Sequence, residues 1–206
     1  MTFNSLRTIA LALCTITLSA GSALAQASPT PPATPEIPLI DVSVGYQRVE
    51  YGFPSRTEAR GAYIEASLNA KNGVGLFLHS ATSYSYFEFQ TDTASYRDQV
   101  QLRQNRLGLR YSRRLAHVTP FAQVLVGSRD YYVERTTTNL TTRAVTIGAS
   151  SLGADTIGAV GVGLTAHMTQ KWGLRVGADY EHVWYTGGTT NGVRLIAGVV
   201  FAAKAR

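Results

Sequence analysis

Residues 173–181 read GLRVGADYE, and they alternate in character. Leu174, Val176, Ala178 and Tyr180 share one parity, while Arg175, Gly177, Asp179 and Glu181 share the other. Successive strand side chains point to opposite faces, so this order gives one apolar face and one small or charged face. The same period of two governs Ala62, Ile64, Ala66 and Leu68 against Tyr63, Glu65, Ser67 and Asn69. It returns in 158–167, with Gly158, Val160, Val162, Leu164 and Ala166 against Ala159, Gly161, Gly163, Thr165 and His167. It returns once more in 193–201, where Val193, Leu195, Ala197, Val199 and Phe201 oppose Arg194 and Gly198.

Extended outward, the pattern predicts eight strands near 40–51, 60–70, 73–90, 99–113, 119–134, 155–168, 172–186 and 191–203. Spread over 39–203, this gives about 21 residues per strand with its connection,. Soluble sandwiches turn every 8–12 residues or so. Strands of about ten tilted residues plus loops suit a transmembrane barrel. The connections after the second, fourth and sixth strands are short, at 71–72, 114–118 and 169–171. Those after the first, third, fifth and seventh, at 52–59, 91–98, 135–154 and 187–190, are polar and mostly longer. Both chain ends lie on the short side, as in outer-membrane barrels with short periplasmic turns and long outer loops. The expected fold is therefore all-β: an eight-stranded antiparallel up-and-down transmembrane barrel in the cell outer membrane. Larger apolar side chains meet lipid, and small and charged ones fill the lumen. Tyr111, Trp172, Tyr180, Trp184 and Phe201 fall near strand ends, where interfacial aromatics belong,.

Composition agrees. The 206 residues carry 16% charge, 45% hydrophobic residues, 19 Gly and 11 Tyr. This argues against disorder, collagen and coiled coil. The net charge of +6 comes from scattered Arg rather than a patch, so no nucleic acid is expected as a partner,. From Leu39 onward no apolar run reaches the length of a membrane helix, since the longest there is 195–203,. Residues 1–25 read as a signal peptide: Arg7, an apolar stretch 9–18, and an A-x-A site at Ala23-Leu24-Ala25,. Cys14 is the sole cysteine and lies in this leader, so thiol chemistry is not expected of the mature chain,. Residues 26–38, QASPTPPATPEIP, hold five of the seven prolines and read as an extended periplasmic linker before a barrel domain at 39–206,.

Residues 191–202, NGVRLIAGVVFA, resemble the closing strand of outer-membrane barrels, in which a Gly is followed by an aromatic on the opposite face, here Gly198 and Phe201. Residues 172–180, WGLRVGADY, look like the penultimate strand of the OmpA-like β-barrel family. The resemblance covers about 39–203, and the chain continues from Ala202 to Arg206 beyond Phe201. It implies outer-membrane lipid and the barrel-assembly machinery as partners.

Chemistry is sparse. His79, His117, His167 and His182 form no HExxH, and no CxxC or Asp-rich loop is present, so neither metal nor cofactor is expected,. Gly158, Gly161 and Gly163 do not spell a phosphate-binding loop, and Asn139-Leu140-Thr141 is a chance sequon. Some eight-stranded barrels hydrolyse or transfer acyl chains of lipid A, and the deacylase places His and Ser two residues apart. Here His79 and Ser80 are adjacent and face opposite ways, His117 and His167 are followed by Thr119 and Thr169, and His182 has no nearby Ser,. The amphipathic helix that opens the palmitoyl-transfer family is replaced by the Pro-rich segment.

Glu65, Arg106, Arg110, Arg129, Arg175, Asp179, Glu181 and Arg194 all take the inward parity. Eight strands leave room only for side chains to fill, so a salt-bridged plug is expected rather than a solute path. At least one of Glu65, Asp179 and Glu181 is expected to contact at least one of Arg106, Arg110, Arg175 and Arg194, with Glu65 and Arg106 at one level. The expected function is non-enzymatic: membrane structure, or surface interaction and adhesion through the outer loops. A narrow pore is the alternative, and lipid A modification is a weaker third. The strand predicted at 73–90 exceeds the crossing length, so the 84–99 hairpin, with Tyr84, Tyr86, Phe87 and Phe89, is expected to project toward a surface partner,.

Overall fold

The structure, a computed structural model, describes residues 38–52 and 57–204. The expected signal peptide and all but Pro38 of the linker lie outside the described residues. Eight strands follow in order: β1 (Ile40–Tyr51), β2 (Thr57–Asn69), β3 (Val74–Gln90), β4 (Ala94–Ser112), β5 (Val118–Asn139), β6 (Val145–His167), β7 (Trp172–Tyr185) and β8 (Gly188–Lys204). Each pairs antiparallel with the next, and β8 pairs with β1 to close the barrel.

Closure sets the dimensions. From Ile40, hydrogen-bonded partners run through Leu68, Leu76, Leu109, Val124, Val160, Tyr180 and Val193 and return to β1 at Glu50, ten residues on. With ~3.3 Å per residue and ~4.8 Å between strands, that stagger tilts the strands about 40°. The same geometry gives a radius of about 8 Å and a climb of about 2.5 Å per residue along the barrel axis. A ring this narrow holds side chains, not a channel.

The two parities separate as the alternation requires. Val44, Ile64, Leu78, Leu109, Val126, Val162, Val176 and Leu195 stand exposed on the outer wall. Ser43, Gln47, Glu65, His79, Arg110, Gln123, Arg175, Asp179 and Arg194 are buried inside. An apolar wall around a polar interior is stable only where the wall meets lipid. Tyr111, Trp172 and Phe201 lie toward the end bearing both termini of the barrel, with Trp172 and Phe201 rings 4.8 Å apart. Tyr180 and Trp184 lie toward the opposite end, where Trp184 packs edge-on against His182. Two inward glycines make room for the packing. A Cβ on Gly161 would sit 1.7 Å from the Asp179 carboxylate, and one on Gly198 would sit 2.5 Å from the Tyr63 hydroxyl.

The outer connections depart from expectation. The 135–154 segment is not a loop: β5 runs to Asn139, β6 starts at Val145, and only 140–144 turns. Likewise β4 starts at Ala94, leaving 91–93, and β8 starts at Gly188, leaving 186–187. The asymmetry between the two ends resides in strand length rather than loop length. Above the lipid both faces of these strands meet water, so the chain needs no apolar alternation there and its Thr-rich stretches read as loop. The sequon Asn139 builds the tip, its Oδ1 accepting from the Thr141 and Thr142 amides at 2.9 Å.

Candidate functional site

Two features can carry function: the filled lumen and the sheet raised above it. All eight charged residues assigned inward from the sequence are buried. Near the terminus-bearing end, Glu65 accepts from Arg110 at 2.7 Å and Arg175 at 2.5 Å, and Arg175 also reaches Asp41 at 3.0 Å. Arg110 spans to Gln123 at 2.6 Å and lies over the Phe77 and Phe121 rings. At the next level Arg194 binds Asp179 through two nitrogens, with Nε at 2.7 Å, and Gln123 donates to the other Asp179 oxygen at 2.7 Å. His79 fills the gap between Arg194, 2.5 Å away, and Glu65, and stacks on Tyr63. Higher still, Glu181 receives Arg106 at 2.5 Å and the Tyr51 hydroxyl at 2.8 Å. Arg129 closes the series on Asp155 at 2.9 Å, between the Tyr51 and Tyr131 rings.

The expected partner sets meet, with one correction. Glu65 and Arg106 do not share a level: Arg106 binds Glu181, and Glu65 takes Arg110 and Arg175. The stagger of the ring, invisible in the sequence, places them at different heights. Sequence reasoning also passed over Asp41, Gln47, His79, Gln104 and Gln123, which join the same network. Their inward parity was the available signal. Over the charges, Val49, Tyr51, Ala59, Leu102, Ile157 and Val183 form an apolar cap across the lumen. Each buried carboxylate has at least one cation beside it, and losing that cation would leave a buried charge uncompensated,.

The second feature begins where the barrel neighbours stop. On β3, pairing with β2 ends at Tyr84, and on β6, pairing with β7 ends at Thr156. Yet β3–β4, β4–β5 and β5–β6 pairing continues outward to Gln90, Asn139 and Val145. The expected two-stranded projection is therefore half of a four-stranded sheet, whose edges at 85–90 and 145–155 pair with no further strand among the described residues. A bulge at its base sets Leu152 and Gly153, the latter at φ 92°, against Tyr131,. The face continuous with the lumen wall carries Phe87, Phe89, Tyr96, Asp98 and Arg135. Phe89 and Tyr96 stack at 4.6 Å, and Arg135 holds Asp98 in a two-point ion pair at 2.7 and 2.6 Å. This hydrogen bonding from Arg135 lowers the Asp98 carboxyl below the usual carboxylate range,. The other face exposes Tyr84, Tyr86, Tyr132, Val145 and Ile147.

His117 is exposed in the turn before β5, where its carbonyl accepts from the His167 amide at 2.8 Å. His79 is locked in the lumen, and His182 bonds Asn191 at 2.6 Å on the outer wall. His167 bonds the Thr119 hydroxyl at 2.7 Å in a mouth cavity of about 30 Å³, room for one water,. No metal-binding cluster of His, Cys, Asp and Glu is found among the described residues.

Closed ring, polar filling and lipid-facing wall together define an eight-stranded outer-membrane β-barrel. Among solved structures the chain is similar to Neisserial surface protein A, at 14% identity and a TM-score of 0.53, over 79% of this chain and 96% of that one. It is similar also to Ail, the attachment invasion locus protein of Yersinia pestis, crystallised with the heparin analogue sucrose octasulfate, at 17% identity and a TM-score of 0.50, over 79% and 97%. No protein-family model and no curated protein matches the sequence.

Proposed function

We propose that this protein is a non-enzymatic surface-contact protein of the outer membrane that works through the sheet raised by β3–β6. The observation that carries this reading is the contrast between the two features. The lumen is packed with paired charges and capped by apolar side chains, which argues against a solute path. The raised sheet exposes aromatic rings on both faces and has two strand edges that no further strand covers among the described residues. Free edges and exposed aromatics are the usual means by which a sheet takes a partner. Within the sheet Arg97 pairs with Glu88, and Arg135 with Asp98, so its charges are largely self-compensated. A polyanion of the kind bound to Ail is for that reason a poorer fit here than a protein surface offering a strand or an apolar patch.

The test is to shorten both hairpins to tight turns, removing 86–98 and 133–150. The barrel should still refold and keep its heat-dependent gel mobility, and binding to host cells or matrix should disappear. Binding equal to the parent's would defeat the proposal, as would stepwise ion conductance of the parent in planar bilayers.

A further inference from the structure

The barrel is electrically lopsided. All three lysines of the chain, Lys71, Lys171 and Lys204, lie at the terminus-bearing end. Lys71 is in the β2–β3 turn, Lys171 in the β6–β7 turn, and Lys204 ends β8. The remaining turn, β4–β5, supplies Arg113 and Arg114. Lys71, Arg113 and Lys171 are exposed and make no ion pair with a described residue. The described carboxylates lie elsewhere. Asp41, Glu65, Asp179 and Glu181 are buried in the lumen. Glu50, Glu58, Glu88, Asp92, Asp98, Asp130, Glu134 and Asp155 belong to the far end or to the raised sheet. Every connection at this rim thus carries positive charge with no exposed acid beside it among the described residues.

Height decides what the rim meets. Outward-facing Tyr111, Trp172 and Phe201 mark the edge of the apolar wall, and the cations lie within about one to three residues beyond it, some 2.5–8 Å further along the axis,. Amphipathic aromatics sit at headgroup level, and cations just beyond them face phosphates. We propose that this rim is a binding ring for anionic glycerophospholipid headgroups, of the phosphatidylglycerol or cardiolipin kind, in the periplasmic leaflet. The phosphodiester oxygens accept from the ammonium and guanidinium groups and fix the depth of the barrel in the bilayer. The inference rests on charge and height alone and stands apart from the proposed surface contact.

The test uses the full mature chain refolded into vesicles of phosphatidylcholine containing spin-labelled phosphatidylglycerol or spin-labelled phosphatidylcholine. Electron spin resonance reads the relative occupancy of the first lipid shell. The parent should prefer phosphatidylglycerol several-fold, and added salt should weaken the preference. Combined Lys71→Gln, Arg113→Gln, Lys171→Gln and Lys204→Gln should bring it near unity with heat-dependent gel mobility unchanged. Arg97→Gln with Arg103→Gln, at the other end, should leave it intact. A parent preference near unity, or one that survives the fourfold variant, overturns the proposal. So does loss of the preference to inorganic phosphate at an ionic strength where chloride leaves it, which marks a free-anion site. Retention of the parent but not the variant on peptidoglycan, with no lipid preference, would assign the ring to a different partner and overturn it equally.

Discussion

Arg194→Met isolates what the lumen contributes to stability. The Arg194 side chain is fully buried, with two nitrogens on Asp179 and its Nε 3.4 Å from Glu181. After the substitution Glu181 keeps Arg106 and the Tyr51 hydroxyl, whereas Asp179 keeps only the amide of Gln123. Asp179 then stands as a buried carboxylate without a cation, a change that costs about 3–5 kcal/mol. Removing both charges, by Arg194→Met with Asp179→Leu, eliminates that uncompensated charge. What remains is an orphaned donor on Gln123, worth about 1–3 kcal/mol, beside the His79 nitrogen that both variants leave without Arg194,. The double variant should therefore be more stable than the single one, which exposes the coupling directly. Urea unfolding of the refolded barrel in lipid vesicles, followed by tryptophan fluorescence and gel mobility, gives all corners of the cycle. If Arg194→Met lies within about 0.5 kcal/mol of the parent, Asp179 is not desolvated and the packed-lumen reasoning is wrong.

Three further outcomes follow from the same geometry. Val162→Arg places a cation on the lipid-facing wall near mid-height and should cost about 2–4 kcal/mol in vesicle unfolding, where an aqueous surface would tolerate it. Gly161→Ala drives a Cβ into the Asp179 carboxylate and to 2.7 Å from the Ala178 carbonyl, and should cost about 1–3 kcal/mol or block refolding,. Gly148→Ala, with nothing within 4 Å of its Cβ, should change stability by less than about 0.5 kcal/mol, and equal effects at the two sites would refute the packing,. The lowered Asp98 carboxyl stabilises the raised sheet above the unfolded carboxylate range, and that contribution fades as pH falls through the lower folded value,. Protection factors at 96–100 and 133–137, taken against the intrinsic exchange rate at each pH, should fall in acid, and Asp98→Asn should show that lower protection already at neutral pH.

Legibility tracked the solvent. Where one face meets lipid and the other the lumen, parity alone sorts side chains, so Leu174 and Arg175 could be assigned to opposite sides without coordinates. Above the bilayer the sorting force weakens: TTTN at 136–139 carries no alternation, and the short alternation of Val145, Ile147 and Ala149 with Thr146, Gly148 and Ser150 stands isolated beside that polar tip. Those residues are nonetheless strands because neighbouring backbones supply their hydrogen bonds. Partner identities inside the lumen depend on the ten-residue stagger, a property of the closed ring rather than of any one strand. Gln47 and Gln123 took the inward parity as plainly as Arg110 did, but a search for charges alone overlooked them.

A lipid-embedded barrel with its raised sheet outside the cell and its short turns in the periplasm is tested most directly by cysteine accessibility. The only cysteine of the chain is Cys14, ahead of the expected cleavage point, so single cysteines can be introduced without background. Intact cells carrying Thr142→Cys, Lys71→Cys or Val162→Cys would be treated with a membrane-impermeant maleimide, before and after permeabilising the outer membrane. With this topology Thr142→Cys should label in intact cells, Lys71→Cys only after permeabilisation, and Val162→Cys in neither case. Labelling of Lys71→Cys in intact cells, or of Val162→Cys by a reagent confined to water, would contradict it.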